Sequence, residues 1–128
     1  MPNRYTKAPS GGSNPRLAAR DTVAEARVRL ALALLSFEAH WAVLFPEPAL
    51  VDVHYSRLFT RLWLKRGEPV TRSEAYGWMS SLSAQTSMKY LNHALELGLL
   101  QEVENPDDCR SRLIAMTVGL RERMDALM

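Results

Sequence analysis

The stretch from Met88 to Thr117 dictates an order of elements that few folds accommodate. Met88-Lys89-Tyr90-Leu91-Asn92-His93-Ala94-Leu95-Glu96-Leu97 reads as an amphipathic helix, and Gly98 stops it, because glycine takes the left-handed C-terminal conformation at little steric cost. Two short apolar segments follow directly, Leu99 to Glu104 and Arg112 to Thr117, joined by the turn-forming Asn105-Pro106-Asp107-Asp108. A helix that runs straight into a β-hairpin on the same face can lie across a duplex, with the helix in the major groove and the hairpin tip over the neighbouring backbone. The order therefore predicts a mainly α fold with a small β-hairpin wing (α+β), a winged helix-turn-helix.

The upstream chain supplies the remaining helices. From Arg16 to Phe45, Val23, Ala26, Leu30, Leu34, Phe37, Trp41 and Leu44 recur at steps of three and four, which predicts a long amphipathic helix ended by Pro46 and Pro48. A second helix is expected from Val51 to Lys65, with Leu58 and Leu62 on one face and Arg57, Arg61, Lys65 and Arg66 on another. After Gly67-Glu68-Pro69, Val70 suits a short strand, and Thr71 or Ser73 caps a helix through Met79. Ser80-Ser81-Leu82 turns into the next helix, capped by Ser83 and directing Met88, Leu91 and Leu95 inward. Val118 to Met128 gives a last short helix. Residues 1–15, with Pro2, Pro9, Pro15 and Ser10-Gly11-Gly12-Ser13, read as a disordered basic arm. Residues 16–128 then form a single winged-helix domain: N-terminal helices at 16–66, the winged core at 67–117 and the short last helix at 118–128.

A chain of 128 residues, 47% hydrophobic and 23% charged, can enclose one core but hardly two. The net charge of +2 is unevenly spread. Residues 1–35 hold six basic side chains against two acidic ones, whereas residues 84–117 hold Lys89, Arg110 and Arg112 against Glu96, Glu102, Glu104, Asp107 and Asp108. The apolar run from Leu30 to Phe37 is too short to span a bilayer and no signal-peptide core is visible, so a cytoplasmic location away from the membrane is expected. The single Cys109 excludes an internal disulfide or a Cys-rich zinc site, and reads as an incidental surface thiol. His40, His54 and His93 fall on different expected helices, so no metal is expected. No nucleophile elbow, Gly-rich phosphate loop or paired acidic motif appears, so neither an enzyme nor a cofactor is expected.

From Pro69 to Thr117 the sequence resembles the MarR-type transcriptional regulators. The elements that carry the likeness are Gly98-Leu99-Leu100, Pro106-Asp107-Asp108-Cys109-Arg110, Leu113-Ile114-Ala115-Met116 and Thr117-Val118-Gly119. The resemblance implies a sequence-specific duplex-DNA-binding regulator whose wing arginine, Arg110, reaches near the minor groove and is held by an ion pair from Asp108. It also implies a homodimer, and a small-molecule effector for which Trp41, Trp63, Trp78, Tyr55 and Tyr76 are candidate lining residues. Cys109 departs from the usual second basic residue, and Ala94 from a leucine below the recognition helix. The family's long dimerising C-terminal helix has no full counterpart in the residues up to Met128.

On their own chemistry, Ala84, Gln85, Thr86, Ser87, Lys89 and Tyr90 are the side chains that the first turns of the recognition helix would present to base edges, with Arg112 beside the wing. Glutamine pairs with adenine in two places, hydroxyls reach bases or phosphates, and lysine reaches guanine or phosphate. Leu30, Leu34, Phe37, Trp41 and Leu44 form the expected dimer interface, because so long an apolar helix exceeds what a small winged lobe can cover. The acidic wing keeps a second reading open, a winged-helix protein-interaction adaptor that has lost DNA binding.

Overall fold

The structure, a computed structural model, describes residues 15–128, with side chains from residue 19 onward. The expected basic arm thus lies, Pro15 apart, outside the described residues. Helix α1 spans Pro15–Leu44, a 3-10 turn Pro48–Val51, helix α2 Val53–Leu64, strand β1 Val70–Thr71, helix α3 Arg72–Gly77 and helix α4 Ala84–Glu96. Strands β2, Leu100–Glu104, and β3, Arg112–Met116, lead into helix α5, Val118–Leu127. The chain divides into two compact units, Met1–Ala39 and His40–Met128. No helix among the described residues is long and apolar enough to cross a membrane.

In the first unit, α1 is not the one-sided helix that the seam suggested. Leu30 and Leu34 are 61% and 57% exposed, and so are Val28, Leu32 and Leu35 at 58%, 60% and 65%. Positions 30, 32, 34 and 35 cannot share one face at about 100° per residue, so the apolar surface runs around the helix. A helix that is apolar on all sides is normally covered.

The second unit has its own core. Trp41, Phe45, Leu50, Tyr55, Leu58, Phe59 and Leu62 are all buried. Trp41 stacks on Phe45 with ring centroids 3.9 Å apart, and its indole Nε1 donates to the Leu50 carbonyl at 2.8 Å. This corrects its assignment to the dimer seam. The Pro46–Pro48 bend turns the chain back, and the 3-10 turn places an acceptor where the indole N–H needs one. Leu44 and Phe37 are both half-buried.

Capping sets the helix starts. The Asp52 carboxylate accepts the His54 amide at 2.8 Å, Thr71 Oγ1 accepts the Glu74 amide at 3.0 Å, and Ser83 Oγ accepts the Thr86 amide at 3.1 Å. Thr71, not Ser73, therefore caps α3. Gly98, at φ 73°, ends α4 in the left-handed region. The antiparallel sheet has the order β1-β3-β2, with Val70 opposite Ile114 and Leu100 opposite Met116. Thr117 ties these parts together: its hydroxyl lies 2.8 Å from the Gly98 carbonyl and accepts the Leu120 amide at 3.2 Å, joining the end of α4 to the start of α5. Arg123 fastens α5 through its Nη1, which donates to both carboxylate oxygens of Glu47 at 2.7 and 2.9 Å.

Candidate nucleic-acid interface

Helix α4 buries Ser87, Leu91 and Ala94, a spacing of four and three. Met88, expected inside, is 46% exposed, and Leu95 is half-buried. Its inward face keeps Leu91 but is rotated by roughly 65° from the expected one. The cause is close packing on the preceding turn: Ser87, 2% exposed, is small enough to sit against it and directs its hydroxyl at the Met79 carbonyl, 3.4 Å away. Ser87 is therefore a packing residue and leaves the set of side chains available to DNA. The outward face carries Ala84, Gln85, Met88, Lys89 and Asn92, all exposed. Thr86 is half-buried, and its hydroxyl accepts that of Ser83 at 2.9 Å. Met88 and Asn92 were not anticipated; the signal that would have found them is the pair of small residues at 87 and 94 flanking Leu91.

Tyr90 is also redirected. Its phenol donates to the Asp52 carboxylate in a short hydrogen bond, while Tyr55 Oη donates to the Tyr90 carbonyl at 3.2 Å and the two rings lie 5.0 Å apart. His54 Nδ1 lies 3.1 Å from Asp52, and His54 Nε2 lies 3.5 Å from Ser81 Oγ in the turn before α4. The start of α2, the turn and the middle of α4 are thereby joined through one carboxylate. Burial alone would raise the Asp52 carboxyl, but the Tyr90 phenol, the His54 amide and the His54 ring together hold it below its ordinary value. The Asp52 hydrogen bond, with burial, pushes Tyr90 up. Burial, then the neighbouring Tyr90 and Asp52 charges, push Tyr55 up to about 12.

The wing tip is a local construction. Asn105 Oδ1 accepts the Asp107 amide at 3.0 Å, and the Asn105 carbonyl accepts the Asp108 amide at 3.2 Å. The Asp108 carboxylate accepts the backbone N–H of Arg110 at 3.0 Å. The expected ion pair between Asp108 and the Arg110 guanidinium is not formed; the carboxylate is spent on the turn two residues ahead, and the guanidinium makes no ion pair among the described residues. Arg110, Arg112 and Cys109 are exposed.

The aromatic residues considered for an effector go to separate places. Trp41 is in the core, Tyr55 packs on α4, and Trp63 Nε1 donates to Asp125 at 3.0 Å. An open groove of about 590 Å³ does border α4, lined among others by Asp52, Tyr55, Lys89, Tyr90 and His93.

No protein-family model matches the sequence, and no curated protein does. Solved structures match along most of the chain. A probable transcriptional regulator from Pseudomonas aeruginosa is 22% identical with a TM-score of 0.51, covering 77% of this chain and 71% of its own. Reduced AbfR bound to DNA is 20% identical with a TM-score of 0.51, covering 88% of this chain and 76% of its own. A MarR mutant from E. coli complexed with operator DNA is 14% identical with a TM-score of 0.52, covering 84% and 73%. The fold is that of the MarR-type regulators. On this MarR-type winged helix, α4 occupies the recognition-helix position in the element order and the β2–β3 hairpin the wing.

Proposed function

We propose that the chain is a duplex-DNA-binding transcriptional regulator that acts as a homodimer. The observation that carries this reading is the pairing of an exposed polar face on α4, with Gln85 and Lys89, and a wing whose Arg110 guanidinium has no ion-pair partner among the described residues. The same fold occurs in structures complexed with DNA. In this reading Gln85 and Thr86 meet base edges, Lys89 meets a base or phosphate, and Arg110 and Arg112 meet the backbone or minor groove, whose negative potential attracts a guanidinium. Dimerisation covers the apolar surface of α1 around Leu30 and Leu34, with Phe37 and Leu44 at its C-terminal end. The reading involves no catalysis, metal or cofactor.

The test is a mobility-shift titration on genomic fragments, including the region upstream of its own gene, over a range of salt. Phosphate contacts release counterions, so affinity should fall steeply with salt. Absence of any complex at low salt would favour a protein-interaction adaptor, the reading that the acidic Glu102, Glu104, Asp107 and Asp108 support.

A further inference from the structure

Residues 84–117 carry more acidic than basic side chains, so a DNA reader built on them must draw cations from elsewhere in the fold. One such cation is held in a cleft of about 430 Å³ between the beginning of α3 and the wing. Its walls are Thr71, Arg72 and Ser73 from the β1–α3 junction, Glu102 from β2, and Ser111 and Arg112 from the wing.

Two arginine–carboxylate contacts in the same molecule separate a structural pair from an exchangeable one. Arg123 holds both oxygens of Glu47 through its Nη1 at 2.7 and 2.9 Å, short contacts of a well-engaged pair. Arg72 meets Glu102 through a single contact at 3.5 Å, with the two side chains 33% and 42% exposed. A long, solvent-screened, one-pronged pair contributes little and is easily left. The other end of the same guanidinium is steered by Tyr76, whose hydroxyl accepts from Arg72 Nη1 at 3.3 Å. Arg112, on the far wall, makes no ion pair among the described residues. Two arginines and two serines thus line a space bordered by one weakly engaged carboxylate, the Ser111 hydroxyl itself being held by Asn105 and the Asp108 carbonyl.

We infer that this cleft seats a backbone phosphate of duplex DNA, with Arg72 as its charged partner and Glu102 as the carboxylate that Arg72 leaves when the phosphate arrives. The inference rests on the DNA-binding reading. An oxyanion offers Arg72 the two-pronged, charge-assisted geometry that Glu102 does not. Because a phosphate contact carries no sequence information, Arg72 contributes to affinity and orientation and not to base preference. Glu102 acts through Arg72: it holds the guanidinium in place before DNA arrives and competes with the phosphate afterwards.

The test measures DNA affinity against salt for wild type, Arg72→Ala, Glu102→Gln and the double variant, on a preferred and a random duplex, with thermal melting to confirm folding. Arg72→Ala should weaken binding about tenfold on both duplexes and lower the slope of log affinity against log salt by about one. Glu102→Gln should tighten binding by roughly threefold or more, as a charged competitor for one phosphate contact is removed. The gain should shrink in the Arg72→Ala background, which a general charge effect would not produce. A wild-type complex whose affinity and slope are untouched by Arg72→Ala overturns the inference and leaves the DNA reading standing. No wild-type complex at low salt overturns both. Tight binding of inorganic phosphate that the Arg72 change abolishes, with DNA binding unaffected, would reassign the cleft to a free anion and overturn the duplex assignment.

Discussion

Asp52 is the residue whose loss the structure makes most consequential for α4, and its contribution is separable by experiment. The side chain serves two elements at once: it caps α2 through the His54 amide at 2.8 Å and accepts the phenol of Tyr90 from α4. Replacing an N-cap aspartate by alanine costs about 1 kcal/mol. A hydrogen bond to a charged group is worth about 1.5 to 3 kcal/mol, and with the Asp52 side chain 36% exposed the lower end applies. Asp52→Ala should therefore destabilise the fold by about 2.5 kcal/mol, whereas Asp52→Asn keeps the cap and an acceptor and should cost about 1 kcal/mol. Urea unfolding of wild type, both variants and Tyr90→Phe gives these values directly, provided that the m-values agree. The double-mutant cycle between Asp52→Ala and Tyr90→Phe should return a coupling of about 1.5 kcal/mol. A coupling indistinguishable from zero, or an alanine variant no worse than the asparagine one, refutes the link. The pH dependence has a definite sign. The folded carboxyl is held below its ordinary value, so its share of stability is complete above the unfolded value, about 3.9, and is lost as pH falls through the folded one. Tyr90 and Tyr55 are raised, so their share is present below about pH 10 and is lost as pH climbs, for Tyr55 through about 12. The difference between wild type and Asp52→Asn should accordingly shrink in acid.

Four further outcomes follow from the same geometry. Arg110→Ala should weaken DNA binding by about 1 to 3 kcal/mol while leaving the melting temperature unchanged, because its guanidinium makes no ion pair among the described residues. Gln85→Ala should alter the preferred sequence in a selection from random duplexes, whereas Lys89→Ala should lower affinity for all sequences alike if it meets phosphate; identical selected motifs for wild type and the Gln85 variant would remove it from the base-reading set. Leu30→Glu together with Leu34→Glu should give monomers in sedimentation with greatly reduced DNA affinity, and a wild type already monomeric at micromolar concentration would sink the dimer proposal. Trp41→Ala should cost about 3 to 5 kcal/mol of stability, as expected for a buried, stacked aromatic; a loss of dimer with stability retained would return Trp41 to an interface.

What the sequence by itself determined is everything set within a few residues. Gly98 ends α4, Ser83 begins it, the Asn105–Asp108 turn divides β2 from β3, and Pro46 and Pro48 follow α1, each through a conformational preference or a cap that acts locally. The order of these elements is enough to specify a winged helix. Tertiary structure alone decided which side of each helix does what. Ser87 went inside and Met88 outside because the turn ending at Leu82 demanded a small residue, and no periodicity count weighs that demand. Trp41 left the apolar seam because a carbonyl nine residues on could satisfy its indole. Tyr90 met Asp52 across 38 residues, and Arg72 met Glu102 across two strands of the sheet, so neither partner was visible in the local chain. Propensities and caps act over one helical turn, whereas ion pairs, buried hydrogen bonds and close packing depend on where the folded chain brings distant residues together.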